Sequence, residues 1–85
     1  MSGERVAIEV NAVWPTDVDE EEGVVVDWFV GEGASVDEGE TICIVQVEKV
    51  DVDVPAPVSG ELVEVVRDED DEIDRDDTLG WIDPA

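Results

Sequence analysis

Thr41-Ile42-Cys43-Ile44-Val45-Gln46-Val47-Glu48-Lys49-Val50-Asp51-Val52-Asp53-Val54-Pro55 is the stretch that decides the fold of this chain. β-branched side chains fill both of its arms, and these fit a pleated, half-buried surface better than a helix. In the second arm Val50, Val52 and Val54 alternate with Asp51 and Asp53. A period of two puts the valines on one face and the carboxylates on the other. Only Glu48-Lys49 separates the arms, and two residues is a natural length for a β-hairpin connection. The pair lacks Asn-Gly chemistry, so a type I turn in a wider loop is equally compatible. Pro55-Ala56-Pro57 ends the ladder, because proline has no N–H to donate to a neighbouring strand. With either turn, Lys49 lies at the outer end of a hairpin.

Lys49 is the only lysine in the 85 residues. Lysine and arginine together number 4 against 26 aspartates and glutamates, a formal net charge of -22. The three arginines stay protonated at any usable pH and cannot be acylated, so Lys49 is the one side-chain amine open to that chemistry. The charge balance excludes binding to a phosphate backbone or to an anionic membrane surface; neither a nucleic acid nor a membrane is an expected partner. The hydrophobic share is 42%, gathered into short runs between turns, which argues against disorder. Adaptation to high salt is the expectation the carboxylates raise, because at about 1 M salt the Debye length is only ~3 Å and their repulsion is screened; a mesophilic acidic domain and a nucleic-acid mimic are the alternatives.

Eighty-five residues make one small domain, 1–85. No apolar run is long enough to span a bilayer and no basic-then-apolar leader pattern opens the chain, so a cytoplasmic location is expected. Cys43 is the only cysteine and lies in an apolar run, where a buried, inert thiol is the expectation. There is no histidine, so a histidine-based triad is impossible, and one cysteine cannot build a zinc site.

The chain is also doubled. Shifted by 37 positions, Gly23-Val24-Val25-Val26-Asp27-Trp28-Phe29-Val30 falls on Gly60-Glu61-Leu62-Val63-Glu64-Val65-Val66-Arg67. The same shift lays Val36-Asp37 on Ile73-Asp74 and Thr41-Ile42-Cys43-Ile44-Val45 on Thr78-Leu79-Gly80-Trp81-Ile82. Two half-repeats, about 6–45 and 50–82, are therefore expected. The first strand is expected over Val6–Val10, a charged turn over Glu20–Gly23, and a second strand over Val24–Val30. Gly31-Glu32-Gly33 and Gly39 mark further turns, and Gly60 opens the next strand. No window supports a helix of useful length. The expectation is an all-β fold: two four-stranded antiparallel sheets packed face to face with pseudo-twofold symmetry.

Asp68-Glu69-Asp70-Asp71-Glu72 falls on Gly31–Ser35 in the repeat and reads as the equivalent turn, not as a calcium loop, which would need flanking helices and a loop glycine. Trp28 and Trp81 lie in apolar runs and are expected to pack; Trp14, before Pro15, is expected to be exposed near the hairpin.

Val45-Gln46-Val47-Glu48-Lys49-Val50-Asp51-Val52-Asp53-Val54-Pro55-Ala56-Pro57-Val58-Ser59-Gly60 resembles the attachment hairpin of lipoyl domains. In that family an acidic residue precedes the lysine, alternating strand residues follow it, and Pro-x-Pro and a glycine close the segment. Gly33-Ala34-Ser35-Val36-Asp37-Glu38-Gly39 resembles the family's Gly-x-x-Val-x-x-Gly turn, Trp14-Pro15 its early Met-Pro, and Thr78-Leu79-Gly80-Trp81-Ile82-Asp83 its last strand. The chain departs from the family at Glu48, where aspartate is usual, at Val50, where alanine is usual, and at Gln46-Val47, where Glu-Thr is common.

The resemblance implies a flattened barrel-sandwich and lipoate in amide linkage to Lys49, with Glu48 and Val50 as its recognition context. It implies attachment by a lipoate-protein ligase or a lipoyl synthase system. The arm would then visit a thiamine-dependent decarboxylase, an acyltransferase and a dihydrolipoyl dehydrogenase of a 2-oxoacid dehydrogenase complex. Such a domain carries the group and catalyses nothing itself. Biotin carriers share the fold but set lysine between two methionines; the only methionine here is Met1, so a biotin carrier is the weaker alternative. An unmodified interaction module is the other. The short flanks favour a free-standing carrier.

Overall fold

A computed structural model describes residues 4–85. Eight strands build two four-stranded sheets: β1 (Val6–Glu9), β2 (Glu22–Trp28), β3 (Ser35–Val36), β4 (Thr41–Val47), β5 (Val50–Pro55), β6 (Gly60–Val65), β7 (Glu72–Asp74) and β8 (Thr78–Pro84). One sheet has the order β1-β8-β6-β3 and the other β5-β4-β2-β7, and every pairing is antiparallel. The all-β, two-sheet expectation is therefore met. Each sheet draws two strands from each half of the chain, so neither half could close its own core.

Exchanging β1 with β5, β2 with β6, β3 with β7 and β4 with β8 turns one sheet order into the other. The symmetry extends to single residues. Val25 lies opposite Val45, and 37 positions on Leu62 lies opposite Ile82. Register then shifts once in each ladder, at Val26 and at its equivalent Val63, a bulge that adds local twist. The β4–β5 ladder (Cys43 with Val54, Thr41 with Pro55) recurs in β8–β1 (Gly80 with Ile8, Thr78 with Glu9), with its irregularity at the same place.

The core repeats too. Val25 and Leu62, Val36 and Ile73, Ile42 and Leu79, Val45 and Ile82 are equivalent pairs, all at most 3% exposed. Among the described residues no polar or charged side chain is buried. The carboxylates thus stay on the outer surface, as the period-two alternation requires.

Some boundaries differ from the expectation. β2 begins at Glu22, so Gly23 is a strand residue and not part of a charged turn. Antiparallel pairing to both β4 and β7 absorbs it, and its lack of a side chain lets the Gln46 carbonyl come within 2.7 Å of where a Cβ would sit. β2 ends at Trp28, before Val30, where the chain bends toward the Gly33 turn. β1 ends at Glu9, and Val10–Val13 wind into one 3-10 turn that brings the chain against β5.

Gly33 and Asp70 are equivalent and both have positive φ, 94° and 72°. The Gly33 N–H donates to the Leu62 carbonyl and the Asp70 N–H to the Val25 carbonyl, again equivalent bonds. The acidic 68–72 run is therefore a turn of the second half. Its carboxylates serve backbone donors: Asp71 accepts from the Asp68 N–H at 2.8 Å and Glu69 from the Trp28 N–H at 3.2 Å.

Candidate functional site

Lys49 lies at the tip of the β4–β5 hairpin. Val47 pairs directly with Val50, so the loop is the two residues Glu48 and Lys49. Glu48 has φ 61°, so the two-residue connection is formed and the wider loop around a type I turn is not. The Val47–Val50 pairing on either side holds the glutamate in a region that favours glycine. Lys49, Glu48 and Val50 are all exposed. Among the described residues Lys49 takes part in no ion pair; the two ion pairs are Arg67 with Asp77 at 3.4 Å and Arg75 with Glu21 at 3.1 Å. Its amine is therefore free for chemistry.

The hairpin stands on a firm base. Val47 is fully buried. Beside it Gly23 leaves room for the Trp14 ring, which lies 3.4 Å from the place a Gly23 Cβ would take. Trp14 is buried, contrary to the expectation of an exposed aromatic. Its Nε1–H donates to the Glu20 carbonyl at 3.0 Å, which satisfies the indole's only polar group and lets the rest of the ring enter the core. The same bond ties down the 14–20 segment. Trp28 behaves likewise, donating from Nε1 to the Arg67 carbonyl at 2.7 Å; it and Trp81 are half-buried in their strands, as expected.

That segment brings Asp17, Asp19 and Glu20 to the same end of the molecule as Glu48. Together with Val18 they line an open depression of about 400 Å³ beside the turn. The single amine is thus presented within a collar of carboxylates, to which Asp51 on β5 adds. Glu48 was singled out in the sequence; Asp17, Asp19 and Glu20 were not, since nothing local ties them to a residue some thirty positions away. The one signal available was Trp14-Pro15, whose aromatic anchor sets where the segment returns.

Cys43 takes no part in the site. It is fully buried, and burial first, then the Asp27 and Glu69 carboxylates, push its thiol up to about 12. A thiol so placed stays protonated and unreactive at neutral pH.

Two packed four-stranded sheets that present the sole lysine on a two-residue hairpin are an arrangement suited to carrying a covalently attached group. The chain belongs to the biotin/lipoyl attachment family: that family's model, described as "Biotin-requiring enzyme", matches residues 16–82. Among curated proteins it is similar to the dihydrolipoyllysine-residue acetyltransferase component of pyruvate dehydrogenase complex of Corynebacterium glutamicum. The two are 40% identical over 53 residues, 62% of this chain and 8% of that one. The component of the same name from Acholeplasma laidlawii is 42% identical over 52 residues, 61% of this chain and 10% of the relative. The chain thus matches about a tenth of the length of these relatives.

Among solved structures, the lipoyl domain of the 2-oxoglutarate dehydrogenase complex from Azotobacter vinelandii aligns over 84% of this chain and 89% of its own. Its TM-score is 0.67 and its identity 26%. A single-chain, multi-domain long-chain acyl-CoA carboxylase aligns over all of this chain and 8% of its own, with TM-score 0.77 and 18% identity, a likeness of fold. By sequence and fold together, this is a lipoyl-type carrier domain.

Proposed function

We propose that Lys49 carries lipoate in amide linkage and that the domain serves as the swinging arm of a 2-oxoacid dehydrogenase complex. The observation that carries this reading is the placement of the sole lysine at the tip of a two-residue hairpin, exposed and free of ion pairs among the described residues. The relatives named as dihydrolipoyllysine-residue acetyltransferase components support lipoate over biotin. So do the flanks, Glu48 and Val50 in place of methionines.

A bound dithiolane supplies a disulfide that can be opened by an acyl donor and closed again by oxidation. The residues of this chain do the rest. The two-residue turn fixes the direction in which the lysine leaves the fold. Val47, Gly23 and Trp14 beneath it keep the hairpin from yielding when a partner enzyme engages the arm. Asp17, Asp19, Glu20 and Glu48 give that end a negative field, which favours encounter with basic partner surfaces and repels acidic ones. The domain raises the local concentration of the arm at each active site it visits. The partners proposed are a lipoate-protein ligase or lipoyl synthase system, a thiamine-dependent decarboxylase, an acyltransferase and a dihydrolipoyl dehydrogenase, acting in the cytoplasm.

Incubation with a lipoate-protein ligase, lipoate and ATP is expected to add one lipoyl mass to the chain and none to Lys49→Arg. A streptavidin-positive chain from its own host would favour the biotin alternative. Loading of the Lys49→Arg variant would contradict the assignment of the site.

A further inference from the structure

Phe29 is the only phenylalanine in the chain, and it is 52% exposed. Val26, three residues earlier on β2, is 45% exposed. The other half of the chain shows what the fold needs at these places. The equivalents of Val26 and Phe29 are Val63 and Val66, and both are half-buried. Packing therefore does not explain the larger, exposed ring at position 29. Next to it Trp28, Val30, Gly31, Glu32, Val65 and Asp68 line an open hollow of about 300 Å³. The Trp28 Nε1–H is taken by the Arg67 carbonyl at 2.7 Å, so the indole offers this hollow only its apolar ring. Two carboxylates are held in place here by backbone donors. Glu32 accepts from the Val65 N–H at 2.9 Å, and Glu69 from the Trp28 N–H at 3.2 Å. Asp68 on the rim and Asp27 on β2 add to them. The nearest base in sequence, Arg67, is engaged with Asp77 at 3.4 Å.

We propose that Phe29 and the Trp28 hollow form a docking surface for a basic, apolar-bearing segment of a partner protein. Charge selects the occupant. A second copy of this chain would bring another net charge of -22 to a surface already rimmed by carboxylates, and a nucleic acid or an anionic membrane would be repelled likewise. An arginine or lysine side chain suits both parts of the hollow. Its methylene stem packs on Trp28, Val30 and Val65, and its charged head meets Glu32 and Asp68. An apolar neighbour of that base covers Phe29, whose ring gains by leaving water. Carboxylates already fixed by backbone donors lower the ordering cost of the contact. The surface also lies away from the lysine. Gly23 pairs with Val47 at the base of the hairpin and Trp28 with Cys43, so five strand residues at ~3.3 Å each, about 16 Å, separate the two places along β2. A partner held at Phe29 therefore leaves Lys49 uncovered, and the domain can be gripped by one protein while its hairpin is offered to another. The inference does not depend on which group Lys49 carries.

The test follows amide and indole resonances of the unmodified chain in about 1 M salt, where long-range attraction to its net charge is screened and contact at the surface remains. The probe is a synthetic peptide of alternating arginine and leucine; the comparison peptide has glutamine in place of arginine. Docking predicts saturable shifts of the Trp28 indole N–H and of the amides at 29–32 and 65–69, with the glutamine peptide binding more weakly. Phe29→Ser removes an exposed ring, so it is expected to keep the fold by far-UV circular dichroism while weakening the arginine peptide about tenfold. Glu32→Gln keeps an acceptor for the Val65 N–H and is expected to weaken it several-fold. Glu61→Gln, which removes one charge from the other sheet, is expected to leave binding unchanged. Shifts centred on 17–20 and 48–51, shifts spread evenly over the surface, or no shift at about 1 mM peptide would overturn the proposal. So would equal binding of the two peptides, or Phe29→Ser and Glu32→Gln binding as tightly as the native chain.

Discussion

At Asp70 the second half of the chain asks an aspartate to do what Gly33 does in the first. Both residues hold positive φ and make equivalent hydrogen bonds. A non-glycine residue pays ~1–2 kcal/mol in that region, partly offset because glycine loses more freedom on folding. Asp70→Gly is therefore expected to raise stability by about 0.5 kcal/mol, read as a higher urea midpoint in about 1 M salt, where loss of one charge matters little. A lower midpoint would contradict the equivalence. Cys43 makes a second residue-scale prediction. Its folded thiol titrates at about 12 and its unfolded thiol near 9.0, so the native state holds the proton more tightly. Stability contributed by the neutral thiol is complete below pH 9 and declines as pH rises toward about 12. Urea midpoints measured from pH 8 to 11 should fall more steeply for the native chain than for Cys43→Ala. Equal slopes would place the thiol in contact with solvent.

At the level of elements, the strands and their pairing were legible because hydrophobic periodicity and the repeat say the same thing twice. Thr41–Val47 and the Gly60 start are found as expected, and the expected Val50–Val54 strand runs one residue further, to Pro55, which pairs with Thr41 at the sheet edge. Ends were less legible where tertiary contacts decide. Gly23 looked like turn chemistry, yet it serves close strand packing, and its equivalent Gly60 does the same against the Asp83 carbonyl. Gly60→Ala should thus cost about 1–3 kcal/mol, since a Cβ would collide with backbone that cannot move without parting β6 from β8. Thermal unfolding of the variant tests this; an unchanged midpoint would mean that the two strands are not so closely apposed. The lysine end of the site was legible as far as Lys49, Glu48 and Val50, which are contiguous. Its carboxylate collar and buried Trp14 were not, because a long loop returns to the hairpin through one indole hydrogen bond that no local pattern announces.

For the molecule as a whole, the charge is the largest unpaired quantity. With 26 acidic residues and 4 basic ones, and carboxylates only on the surface, folding gathers like charges that the unfolded chain keeps apart. Screening should therefore govern stability: far-UV circular dichroism is expected to show the fold weakened or lost at about 10 mM salt and restored at about 2 M. Equal stability at both would refute adaptation to high salt. The pseudo-twofold architecture leaves one hairpin, and the sole lysine sits on it. Whether that lysine is used is answered most directly by peptide mass measurement on the protein isolated from its own host. The account predicts a lipoyl increment on the peptide containing Lys49, absent from Lys49→Arg; a native pool with Lys49 wholly unmodified, or bearing biotin, would contradict it.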